Sequence, residues 1–200
     1  MDKRLFMHRV YKLFGRTHYY ESEYGIKGYN RPAFHIECET ESITVDPGEV
    51  RLSFDGLKDE YTLLDKKIEE SPHLELMRLL ENGEDPSKCS YVQRELKGCL
   101  DGRYEIPLPD HKKSYLKAKA ELESGNYKRP MIYQLEGKWY VMDGKHRLAM
   151  NVLLGKNCEC SVIPMEELKK DRYMLQLYDK MKQKNSYGRN IKHIESILNN

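Results

Sequence analysis

Between Lys138 and Gly155 the spacing of apolar positions changes from that of a strand to that of a helix. Trp139, Tyr140 and Val141 are residue types that fit a pleated, half-buried surface, so this stretch predicts a strand. Asp143-Gly144 ends it. From Leu148 onward, Leu148, Val152 and Leu153 recur at helical spacing, with the good helix formers Ala149 and Met150 between them. Gly155 stands where a helix C-cap glycine belongs. The predicted unit is a strand, a tight polar turn and a short buried helix, with Asp143, Lys145, His146 and Arg147 at the helix start.

Other patterns flank this unit. Ile43-Thr-Val-Asp-Pro-Gly-Glu-Val-Arg-Leu-Ser-Phe54 alternates on both sides of Asp-Pro-Gly and predicts strand, turn, strand. Arg103-Tyr-Glu-Ile-Pro-Leu108 is a competing candidate for the first sheet strand. Tyr61, Leu64 and Ile68 predict a helix over 61–70, stopped by Ser71-Pro72. A new helix starts there, with Ser71 as N-cap, Pro72 at its first position and Asn82-Gly83 closing it. Tyr91 to Leu100 suggests a third short helix. Beyond Met165, Leu168, Leu175, Tyr178 and Met181 share a helical face; Asn185-Ser-Tyr-Gly188 breaks it, and Ile191 to Leu198 predicts a last helix.

Composition narrows the class. Of the 200 residues 39% are hydrophobic and 33% charged, which fits a soluble globular chain with a lean core. A formal charge of +2 carries no global nucleic-acid signature. No apolar run approaches a membrane span, and the polar, charged N-terminus does not read as a signal peptide. Five cysteines without framework spacing predict reduced thiols in a cytoplasmic protein. Cys158 and Cys160 place both side chains on one face of a strand. With no matching pair among Cys38, Cys89 and Cys99, they read as buried thiols rather than a metal site. The first 36 residues form a basic, aromatic arm, including Lys3, Arg4, Arg9, Tyr19, Tyr20 and Tyr24. Such a segment binds nucleic acid by phosphate contact and stacking, or packs its tyrosines on the domain, the reading we favour. Residues 165–200 carry eight basic side chains against five acidic ones, which reads as a solvated helix face.

The chemistry concentrates at Asp143-Gly144-Lys145-His146-Arg147. A helix N-terminus offers unpaired backbone N–H groups and a partial positive charge, which suits a phosphate. Arg147 adds a planar fork of donors, His146 a further donor and Lys145 a point charge, and Gly144 permits close backbone approach. The plainer alternative is an ordinary helix capped by Asp143 with Lys145 and Arg147 solvated. His73, near a predicted helix start, reads as structural or exposed.

Pro130-Met-Ile-Tyr-Gln-Leu, the turn at Glu136-Gly-Lys, and Trp-Tyr-Val-Met-Asp-Gly-Lys-His-Arg-Leu-Ala resemble the core of the ParB/sulfiredoxin-like superfamily. The resemblance covers about residues 104–165. It implies an α+β fold with a small mixed sheet: a helix over Lys113–Gly125, a Pro-led strand, a hairpin, the turn, a helix ending in glycine, and a final strand over Cys158–Pro164. The domain would then span 37–165, with a helical insertion at about 59–100 and a helical extension over 166–200. Sulfiredoxins carry G-G-C-H-R at the turn and use its cysteine; Lys145 stands there, which argues against that activity. Chromosome-partitioning ParB proteins carry G-E-R-R and a following helix-turn-helix domain, for which the tail is short. A free-serine kinase branch with D-G-H-H-R is the most similar form. The sulfiredoxin K-x-x-S-x-x-x-T helix pattern matches at Lys113, whereas Leu116 and Ala120 depart from it.

The resemblance thus implies a nucleoside triphosphate, ATP or CTP, as ligand, with Mg2+. Lys113, Gly144, Lys145, His146 and Arg147 would hold the phosphates. Asp143 would act as catalytic base or magnesium-side ligand of a phosphotransferase or NTPase. The alternatives are a non-catalytic DNA-associated or nucleotide-switched module, and a ParB-like nuclease. A nuclease usually needs clustered carboxylates, and none can be assembled from the sequence. Nucleotide binding ranks first, whether or not turnover follows.

Overall fold

The computed structural model describes residues 19–21, 27–29, 40–55, 57–90, 92–93, 111–125 and 127–200. Its strands are β1 (Tyr19–Glu21), β2 (Lys27–Tyr29), β3 (Glu41–Val45), β4 (Arg51–Leu52), β5 (Met131–Leu135), β6 (Lys138–Asp143) and β7 (Cys158–Val162). Its helices are α1 (Pro72–Glu81), α2 (His111–Glu123), α3 (Lys145–Leu153), α4 (Met165–Leu168), α5 (Arg172–Lys182) and α6 (Gly188–Asn199). β1 and β2 pair as a separate antiparallel ribbon. The remaining strands form one mixed sheet in the order β3-β7-β5-β6-β4. The α+β class is therefore as expected, with helices covering both faces of this sheet.

The sheet is built around a local hairpin. Glu136 and Gly137 both take positive φ, 52° and 74°, which is the two-residue turn whose twist matches antiparallel strands. It folds β6 back on β5, pairing Leu135 with Lys138 and Tyr133 with Tyr140. α3 then crosses over, Gly155 ends it at φ 62°, and β7 returns parallel to β5. β3 closes one edge antiparallel to β7, and β4 lies parallel to β6 at the other.

Alternation along the strands divides the interior into two cores. Ile132, Val141, Cys158 and Cys160 face α1, α2 and α3 and pack with Leu74, Leu76, Met77, Tyr115, Leu148 and Met150. Tyr133, Leu135, Tyr140 and Ile163 face the opposite way, against Leu168, Met174, Met181, Ile194 and Ile197. The C-terminal helices thus cover a sheet face with their apolar sides. Asp171 caps α5 by accepting from Met174 N at 2.7 Å.

Two expectations change. The helix predicted over 61–70 is absent; only Ile68–Glu70 makes a 3-10 turn. The segment before it runs beside β4: Leu52 N–H donates to the Lys66 carbonyl (2.8 Å), Asp65 N–H to Leu52 (2.9 Å) and Ile68 N–H to Val50 (2.8 Å). Asp65 at φ 70° and the Asp55 carboxylate, which accepts from Leu57 N and Leu63 N, hold the bends. Pairing along the sheet edge thus outcompetes the helical spacing of Tyr61, Leu64 and Ile68. The strand, turn, strand read around Asp46-Pro-Gly48 is present, its two strands lying at opposite edges of the sheet. In the other change, Ser71 precedes α1 and Pro72 opens it, yet the Ser71 hydroxyl donates to the Ile68 carbonyl instead of capping the helix. The candidate strand 103–108, most of the helix suggested over Tyr91–Leu100 and all of the N-terminal arm except β1 and β2 lie outside the described residues. Among the described residues no helix is long and apolar enough to cross a membrane.

Candidate functional site

Gly144 sets the geometry of the turn. It takes φ 94° and ψ 25°, a left-handed conformation that side chains resist. A Cβ there would sit 2.9 Å from both Cα and Cβ of Pro130, the residue that leads into β5. Glycine is therefore required twice, for its backbone angles and for the close approach of two chain segments. The Leu148 N–H closes the first helical bond onto the Gly144 carbonyl at 3.0 Å. Gly144 is itself the N-cap residue of α3, and no side chain caps the helix. This corrects the reading of Asp143 as a cap: its position at the end of β6, before a left-handed glycine, directs its carboxylate elsewhere. The first-turn N–H groups of α3 have no acceptor within the helix.

Asp143 instead gathers cations. Its Oδ2 lies 3.4 Å from Arg147 Nη2 and 3.3 Å from Lys128 Nζ. The other side of the Arg147 fork donates to the main-chain carbonyls of Lys128 and, at 3.3 Å, of Arg129. Arg147 is only 16% exposed, against 42% for Asp143 and 69% for Lys128. Arg147 therefore ties the start of α3 to the segment before Pro130, a structural role that sequence reasoning did not foresee. Lys145 and His146 are half-buried in the first turn of α3. His146 packs edge-on against His73 of α1, with ring centroids 5.4 Å apart, so the buried His73 belongs to the surroundings of the turn. Lys113 is exposed in the first turn of α2, a helix that packs on α3. The structure thus joins Asp143, Gly144 and Arg147 directly, sets His146 on His73, and leaves Lys113 on a neighbouring helix.

Beneath the turn, Asn151 donates to the Arg147 carbonyl at 2.9 Å and to Cys158 Sγ at 3.4 Å. The Cys160 thiol donates to Cys158 and holds it below the ordinary thiol range; the Tyr127 hydroxyl and the Arg147 charge act the same way, while burial opposes them. Both thiols are free and fully buried, as expected. Among the described residues no group of three or more His, Cys, Asp and Glu side chains is placed to hold a metal. A surface cleft of about 360 Å³ lies elsewhere, between Lys66, Glu69, Glu75 and Arg78, and no residue of the turn lines it.

A second polar cluster, in the opposite core, was not anticipated. The Tyr133 hydroxyl lies 2.6 Å from Ser53 Oγ and 2.6 Å from His193 Nε2. Tyr140 stacks on Tyr133 at 5.6 Å, meets the His193 ring edge-on at 4.7 Å, and donates to Asp65 Oδ1 at 2.9 Å. Asp65 also pairs with Arg51 at 3.3 Å. Burial raises both tyrosine hydroxyls well above the ordinary range and pushes His193 down to about 4. Strand alternation places Tyr133 and Tyr140 on one face, but nothing local links either to Ser53 or His193.

Compared with known protein families, curated proteins and solved structures, the chain matches none.

Proposed function

We propose that the turn between β6 and α3 binds the phosphate groups of a nucleotide. The observation that carries this reading is the opening of α3 on a left-handed glycine with no side-chain cap, next to Lys145, Arg147 and Lys128. The helix dipole and nearby cations favour an anion together. The order helix, Pro-led strand, hairpin, turn, helix and strand supports the resemblance to the ParB/sulfiredoxin-like superfamily, which implies ATP or CTP. Magnesium commonly takes only one or two carboxylates together with substrate phosphates and water. Asp143 is the one carboxylate the turn itself offers for that role. Its contacts with Arg147 and Lys128 favour binding over turnover, since the carboxylate and a phosphate would compete for the same donors.

The test is a thermal-shift and calorimetric screen over nucleoside mono-, di- and triphosphates with and without magnesium. A triphosphate should stabilise the protein, and Arg147→Lys should weaken it by roughly 1.5–3 kcal/mol, the range for charge-assisted bonds. Absence of any shift at millimolar nucleotide would reject the reading.

A further inference from the structure

The polar cluster of the second core lies at the junction of three parts of the chain. β5 contributes Tyr133, the stretch after β4 contributes Ser53, and α6 contributes His193. The start of α6 is in turn fastened to the loop after β4. The Asp59 carboxylate accepts from the backbone N–H groups of Gly188 (2.9 Å) and Arg189 (3.0 Å), acting as an N-cap supplied from a distant segment. Asn190, fully buried, donates to the Leu57 carbonyl and accepts from Asp55 N. The Arg189 guanidinium reaches the Leu64 carbonyl at 2.9 Å. The start of α6 is therefore bonded to the segment after β4, and His193 is the titratable group where α6 meets β5.

We infer that the Tyr133–His193 contact is an acid-operated latch, closed while the imidazole is neutral and opened by its protonation, which frees α6 from the sheet. With Nε2 unprotonated, Ser53 donates to Tyr133 and Tyr133 donates to His193. A proton on Nε2 turns that acceptor into a donor, so the Tyr133 hydroxyl must reverse toward Ser53 and a positive charge is left against Phe54, Tyr133 and Tyr140. The groups around the ring offer little compensation. Asp65 favours the imidazolium, but it is already paired with Arg51 and accepts from Tyr140. α6 itself also carries Arg189, whose guanidinium is held by the Leu64 carbonyl, and Lys192, while Glu195 accepts from Tyr178 of α5.

The sign follows from linkage. His193 is held at about 4 in the closed form and returns toward about 6.5 once solvated, so neutral imidazole stabilises the closed form above pH 6.5. That stabilisation is lost as pH falls toward 4. Between pH 7 and pH 5 the opening constant should rise about twentyfold.

Backbone hydrogen exchange on the full chain, corrected for the chemical exchange rate, reads this directly. In the wild type, protection of the α6 amides should drop about twentyfold between pH 7 and 5 while β5 and β6 keep theirs. His193→Gln places an amide near Nε2 that does not titrate, and its α6 protection should change less than about threefold over the same range. Equal loss in both proteins, no loss in the wild type, or loss in β5 and β6 in step with α6 would each overturn the latch. Should the glutamine variant fail to fold, an NMR titration of the wild-type His193 ring decides: titration below pH 5 supports the closed latch, and titration near 6.5 refutes it.

Discussion

On one face of the sheet Asp143, Lys128 and Arg147 meet at a solvent-exposed rim; on the other, Ser53, Tyr133 and His193 are bonded inside a core. The rim uses formal charges with more acceptors and donors than any single arrangement needs, so partners can exchange at little cost. The interior uses neutral groups bonded to one another, because an unpaired polar atom there forfeits its full hydration. A ligand can enter the first arrangement by replacing one member. The second tolerates no replacement and instead fixes how α6 sits on β5.

Substitutions can test that contrast. The largest effect is expected where the rim depends on backbone rather than charge. Gly144→Ala should cost about 3 kcal/mol, combining left-handed strain with a clash against Pro130, as measured by urea denaturation. Gly137→Ala is its control, since φ there is also positive but nothing lies within 4 Å of the added carbon; it should cost only about 1 kcal/mol. Equal costs would mean that the approach of Pro130 is not what demands glycine. Next comes Tyr133→Phe, which strands Ser53 and His193 in the second core and should cost about 2 kcal/mol at pH 7 in the same assay. A negligible change would place water in the core and weaken the contrast between the faces. The smallest effect belongs to Asp143→Asn. Stability should move by less than about 0.5 kcal/mol, whereas affinity for a triphosphate should improve about threefold as competition for Arg147 and Lys128 falls. Weaker binding on titration would make Asp143 a ligand-side group rather than a competitor.

Much of the first core could be read from the sequence because its signals are local. The alternation of β6, the turn residues Glu136-Gly137, the break at Gly144 and the stop at Gly155 each act within a few residues. The polar positions of the turn were likewise visible as a cluster. Arg147 was legible as a donor, but its acceptors were not, since main-chain carbonyls carry no sequence signature. The second core depends on distant partners: Ser53 with Tyr133, Tyr133 with His193, Asp59 with the start of α6. The same physics defeated the expectation over 61–70. Apolar residues at helical spacing bury equally well from a bent loop once Leu52 and Val50 offer backbone bonds to it.

Those backbone bonds also bear on self-association. A sheet edge normally presents a row of unpaired N–H and C=O groups that can template another chain. Along β4, the carbonyls of Val50 and Leu52 and the N–H of Leu52 are already taken by residues 65–68, and Arg51 bridges to Lys67. That edge is closed to strand addition by the protein's own chain. Among the described residues β3 pairs only with β7. Among the described residues, the border left to a partner that extends this sheet through its backbone, including a second copy of the chain in an aggregate, is the opposite one, along Glu41–Val45.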